Sequence, residues 1–90
     1  MSLIKRVVLD VLKPRQPNAL EFASAIADQN NNCLIKVTVT AVDEKTESVV
    51  VTVDSDDISY LEIVEAITSL GGSVHSIDEV VVSSALRAEE

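Results

Sequence analysis

Aromatic residues are almost missing: Phe22 and Tyr60 are the only two in 90 residues, and there is no tryptophan. A sheet that binds RNA by stacking bases on aromatic platforms is thereby excluded. Cysteine is equally scarce. Cys33 stands alone, so no disulfide can form within the chain, and a lone thiol without a Cys-x-x-Cys partner or an adjacent base reads as a small apolar residue in a reducing compartment. Two glycines and two prolines are too few for a collagenous or low-complexity segment. No apolar run exceeds four residues, against the ~20 that a membrane helix needs. The start, Met1 to Leu9, carries Lys5 and Arg6 but meets Asp10 before a signal-peptide core develops, so the expected location is the cytoplasm.

Positive charge is the next deficit. The net charge is -8, the wrong sign for tracking phosphates, so neither nucleic acid nor a membrane surface is an expected partner. Residues 1–45 hold six bases and five acids, whereas residues 46–90 hold one base and ten acids. No basic side chain lies between Lys45 and Arg87. An acidic second half suits a cation or cationic ligand, or head-to-tail contact with the less acidic half of another copy.

What is present is a folding pattern, since 47% of the residues are hydrophobic and they are periodic. Residues 1–90 form one domain, with an ordered core over about 3–83 and a tail over 84–90. Leu3 to Leu12 alternates as a strand, with Leu3, Val7, Leu9 and Val11 on one face and Arg6, Val8 and Asp10 on the other. Pro14 and Pro17 end it. Pro17 suits the first position of a helix over Asn18–Gln29 with Leu20, Ala23, Ile26 and Ala27 inward. Asn30 to Asn32 closes this helix, and Leu34 to Val42 alternates as a second strand. The polar run Asp43 to Glu47 connects it to a third strand, Ser48 to Val53. Ser59 and Glu62 have capping-box spacing before a second helix with Leu61, Val64, Ile67 and Leu70 inward, and Gly71-Gly72 stops it. Val74 to Val82 is the fourth strand, which would place His75, Ile77 and Glu79 on one face.

The order βαββαβ predicts an α+β, ferredoxin-like two-layer sandwich: a four-stranded antiparallel sheet with two helices on one face. At this length a chain buries only about 60–65% of its unfolded surface, and the valine runs at 49–51 and 80–82 offer apolar groups to both sheet faces. Homo-oligomerisation is therefore expected, with Val80, Val81, Val82 and His75 as interface residues.

Chemistry is sparse. Lys13-Pro14-Arg15-Gln16-Pro17 is not the glycine-bearing anion loop of an acylphosphatase, and Asp54-Ser55-Asp56-Asp57 is not an EF-hand, because Ile58 stands where an oxygen ligand belongs. One histidine rules out a multi-histidine metal site within the chain. Asp10, a carboxylate inside a strand, needs a partner, either Arg6 on the same face or a cation shared with Asp78. No nucleophile and base stand at suggestive spacing, so the expectation is a binding module and not an enzyme, with no catalytic residues.

The strings Val8-Leu9-Asp10-Val11-Leu12-Lys13-Pro14, Val42-Asp43-Glu44-Lys45-Thr46-Glu47 and Gly71-Gly72-Ser73-Val74-His75-Ser76-Ile77-Asp78-Glu79-Val80 resemble an archaeal family, the domain-of-unknown-function 211 family. The likeness runs from Leu3 to about Val82. It implies a ferredoxin-like fold assembled into ring-like homo-oligomers, a divalent cation such as calcium in some members, and no assigned reaction; the expected ion for this chain is calcium or magnesium. Carried onto this chain, the implied metal-binding positions are Asp10, Asp43, Glu47, Asp78 and Glu79. The leading expectation is a homo-oligomeric module binding a divalent cation or small polar ligand at subunit interfaces. The alternative is a structural ring or scaffold that binds a protein partner without a ligand.

Overall fold

The computed structural model describes residues 2–84. Six elements follow the expected order: β1 (Ser2–Pro14), α1 (Ala19–Asp28), β2 (Leu34–Val42), β3 (Thr46–Asp54), α2 (Tyr60–Ser69) and β4 (Ser73–Ser84). The strands form one antiparallel sheet in the order β2-β3-β1-β4, the ferredoxin-like arrangement, so β2 and β4 are the edges. Both helices pack on one face. Val7, Leu9 and Val11 of β1 and Val49, Val51 and Val53 of β3 meet Phe22, Ile26, Ile63, Ala66 and Ile67 in a single core. Cys33 is half-buried against that core, as its reading as a small apolar residue requires. Among the described residues no helix is long and apolar enough to cross a membrane.

The helices face inward differently from the simplest periodic reading. Leu20 is 75% exposed and Leu61 is 74% exposed, while Phe22 and Ile63 are buried in their place. Each helix offers two apolar stripes at i, i+3 spacing, and the cap decides which is turned toward the sheet. Asn18, not Pro17, sets the start of α1. Its side chain accepts from the Glu21 N–H at 2.9 Å while its own N–H donates to the Glu21 carboxylate at 3.1 Å, a complete capping box. At α2 only half of the expected box forms: Ser59 Oγ accepts from the Glu62 N–H at 3.5 Å, with no return bond from the Glu62 side chain.

The first and last strands run longer than their hydrophobic alternation indicates. β1 continues through Lys13 and Pro14, and β4 continues through Ser83 and Ser84, which pair with Leu3 and Ser2. Ser84 thus belongs to the sheet, and the rest of the expected tail, 85–90, lies outside the described residues. β3 pairs with β1 only from Arg6 to Pro14, so Ser2–Ile4 and Val82–Ser84 extend as a two-stranded ribbon past it. The loop after β3 takes over the vacated β1 edge, where Ser55 N–H donates to Lys5 O at 3.1 Å and Ile58 N–H to Ile4 O at 3.0 Å.

At the opposite end, Gly71 takes φ +87°, a left-handed conformation that ends α2. Gly72 is pressed against Ile67 and Phe22, and the chain turns directly into β4.

Candidate functional site

The face of the sheet away from the helices carries the remaining polar chemistry. Pairing sets which residues share it: Asp10 lies opposite Val50 and Ser76, and Leu12 lies opposite Ser48 and Ser73. A regular ladder would alternate faces along β4, but the β1–β4 register shifts three times, twice through an extra residue on β4 and once, between Ile4 and Arg6, through Lys5 on β1. Val8 pairs with Glu79 and Leu9 with Ile77, so Asp78 is an extra residue; Asp10 pairs with Ser76 and Val11 with Val74, so His75 is another. These bulges overturn the expectation of one face for His75, Ile77 and Glu79. Ile77 follows Leu9 to the helix side, and Glu79 follows Val8 to the open side.

The bulge at His75 brings that residue into a groove of about 200 Å³ lined by Asp10, Val11, Leu12, Ser48 and His75. Neighbouring strands therefore supply a carboxylate, an imidazole and a hydroxyl to one open depression beside the β4 edge. Ser48 was not singled out from sequence. Its signal was the even-numbered face of the third strand, on which it follows from the alternation that buries Val49, Val51 and Val53.

Asp10 does not pair with Arg6. The Arg6 guanidinium bonds Asp54 across the strands at 2.6 Å and reaches Glu79 at 3.5 Å. The hydrogen bond that Arg6 donates to Asp54, with the charges of Asp54 and Glu79, holds Arg6 more firmly protonated than usual. Arg6 is thus already neutralised, and among the described residues no ion pair reaches Asp10.

The other carboxylates suggested by sequence are dispersed. Asp78 accepts from Ser76 Oγ at 2.7 Å, and Glu79 is engaged by Arg6. Asp43 sits in the β2–β3 turn, where its N–H donates to Thr46 O at 2.8 Å. Glu47 lies opposite Lys13 and points to the helix side. There it accepts from Lys13 Nζ at 2.8 Å, with Arg15 at 3.9 Å. Among the described residues no group of three or more His, Cys, Asp or Glu side chains is placed to hold a metal ion.

The interface residues suggested by sequence are all exposed. Val80, Val81 and Val82 are 56%, 44% and 52% exposed, with Val80 on the helix side opposite Val7 and Val81 on the open side opposite Arg6.

With this geometry in hand, comparison with known proteins gives two findings. Residues 5–90 match the family model described as DUF211, uncharacterized ArCR. An uncharacterized protein of Methanocaldococcus jannaschii is 40% identical over 89 residues, covering 99% of this chain and 92% of that relative.

Proposed function

We infer that this chain, which belongs to the DUF211 family of uncharacterized proteins, works as a homo-oligomeric binding module and not as an enzyme. Copies associate along the β4 edge, and a cation or small polar ligand sits in the adjoining groove at Asp10, Ser48 and His75. The observation that carries this reading is the division of β4 into two unlike halves. Ser73–Glu79 has two bulges and the side chains of His75, Asp78 and Glu79, devices that blunt an edge against pairing. Val80–Ser84 has no extra residue of its own, the register shift beside Val81 and Val82 coming from Lys5 on β1, and it has no charge and exposes its three valines. An uncharged, apolar edge segment is open to strand addition.

The opposite edge offers a complement. β2 exposes Leu34, Val39 and Val42 and carries Lys36 on the open side, the side on which β4 carries Glu79. β4 of one copy against β2 of the next would therefore match apolar to apolar and acid to base. Such a head-to-tail contact uses two different surfaces, so repetition closes into a ring when the rotation permits. The groove lies beside the bulged half of the same strand, next to the contact segment and outside it.

Val81→Lys is expected to lower the mass seen by light scattering, because a charge would be buried in the contact. Leu61→Lys, on the outer face of α2, should leave the mass unchanged. Equal masses for all three proteins would remove β4 from the interface. Assembly that persists while no cation or metabolite shifts the melting temperature would favour a scaffold binding a protein partner.

A further inference from the structure

We propose that the groove selects a small organic monocation, a primary ammonium on a short alkyl chain, over a divalent metal ion. The inference rests on the reading of the groove as the ligand site and names the ligand class. Three of its lining residues carry polar side chains, and each can accept. The Asp10 carboxylate accepts at two oxygens, the Ser48 hydroxyl has free lone pairs, and a neutral His75 ring accepts at one nitrogen. A primary ammonium presents three N–H donors and no acceptor, so one such group can satisfy one residue with each donor. Among the described residues none of these three side chains is engaged in an ion pair or an internal side-chain hydrogen bond.

Charge and shape point the same way. The groove contains one carboxylate, which balances one positive charge. Calcium takes six to eight oxygen ligands and magnesium near-ideal octahedral oxygen, whereas here Asp10 and Ser48 are the only oxygen-bearing side chains in the lining. The two further carboxylates on β4 are engaged elsewhere, Asp78 by Ser76 and Glu79 by Arg6. Leu12 adds an apolar side chain to the lining, which suits methylene groups better than a hydrated ion, while the side chain of Val11 is turned into the core. The volume of about 200 Å³ matches roughly seven water-sized groups at ~30 Å³ each. The field is favourable as well, since no basic residue lies between Lys45 and Arg87 and the chain carries a net charge of -8.

The test is titration of the 15N-labelled full chain, followed by amide shifts, with n-butylammonium, tetramethylammonium and calcium chlorides at matched ionic strength. n-Butylammonium is expected to shift the amides of Asp10, Leu12, Ser48 and His75 saturably, in the millimolar range usual for a probe of about five heavy atoms. Tetramethylammonium, which has the charge but no N–H, should bind at least about tenfold more weakly. Asp10→Asn should weaken n-butylammonium by about tenfold or more with the spectrum otherwise dispersed as before, and Ser48→Ala should weaken it to a smaller degree. Undiminished binding by Asp10→Asn, or equal binding of both ammonium ions, overturns the proposal. Saturable calcium shifts at these amides without an n-butylammonium response would keep the groove as a ligand site and overturn the ammonium assignment. No response to any of the three overturns both.

Discussion

Removing the Glu47 carboxylate should cost far more stability than removing the lysine it serves. The Lys13 side chain is 0% exposed and Glu47 is 14% exposed, so their 2.8 Å contact is shielded from water. Nζ has two further neighbours, the Pro14 carbonyl at 2.9 Å and the Phe22 ring at 5.5 Å, neither of which carries a charge. Glu47→Ala would therefore strand a buried ammonium, for which the usual cost is about 3–5 kcal/mol. A domain of this size is stable by roughly 5–13 kcal/mol in all. The melting temperature should fall by roughly 12 °C or more, at ~4–8 °C per kcal/mol for a domain of this length. Lys13→Met removes the charge together with its need for a partner and keeps most of the apolar stem. The remaining Glu47 still has Arg15 at 3.9 Å, so the cost should stay below about 2 kcal/mol. Urea unfolding at one fixed protein concentration, with equal slopes, measures both changes. A Lys13→Met variant as damaged as Glu47→Ala, or a Glu47→Ala loss below about 1 kcal/mol, would refute the claim that a desolvated charge governs this corner.

Gly72→Ala should destabilise by about 1–3 kcal/mol, because an added Cβ would stand 2.8 Å from Ile67 Cγ2 and 3.3 Å from Phe22 Cζ; thermal unfolding reads the loss. Asn18→Ala should cost about 1 kcal/mol and accelerate amide exchange in the first turn of α1. Ser59→Ala should cost less, since its single capping contact is 3.5 Å long; the reverse order would show that cap geometry does not set the difference.

The alternation of Val7, Leu9 and Val11 and of Val49, Val51 and Val53 was enough to place the inner face of the sheet, because strand periodicity admits only two choices. Helix rotation was less legible. Leu20 and Phe22, or Leu61 and Ile63, are equally apolar, and the choice between them belongs to capping and chain entry. Lys13 shows a different limit: alternation places it on the core face, yet only its cross-strand partner Glu47 makes burial of the ammonium tolerable. The bulges at His75 and Asp78 were not legible, since an extra residue leaves the composition of a strand unchanged while it re-aims every side chain beyond it. The groove depends on one of those bulges. Its carboxylate was visible in sequence as the odd residue of the first strand, while Ser48 was visible only as part of a periodic face.

The central claim, association along β4, is tested most directly by native mass spectrometry of the full chain beside Val81→Lys. The account expects the unsubstituted protein at an integer multiple of its 9.7 kDa subunit mass, and the variant shifted toward the single subunit. A protein that flies only as one subunit would contradict it.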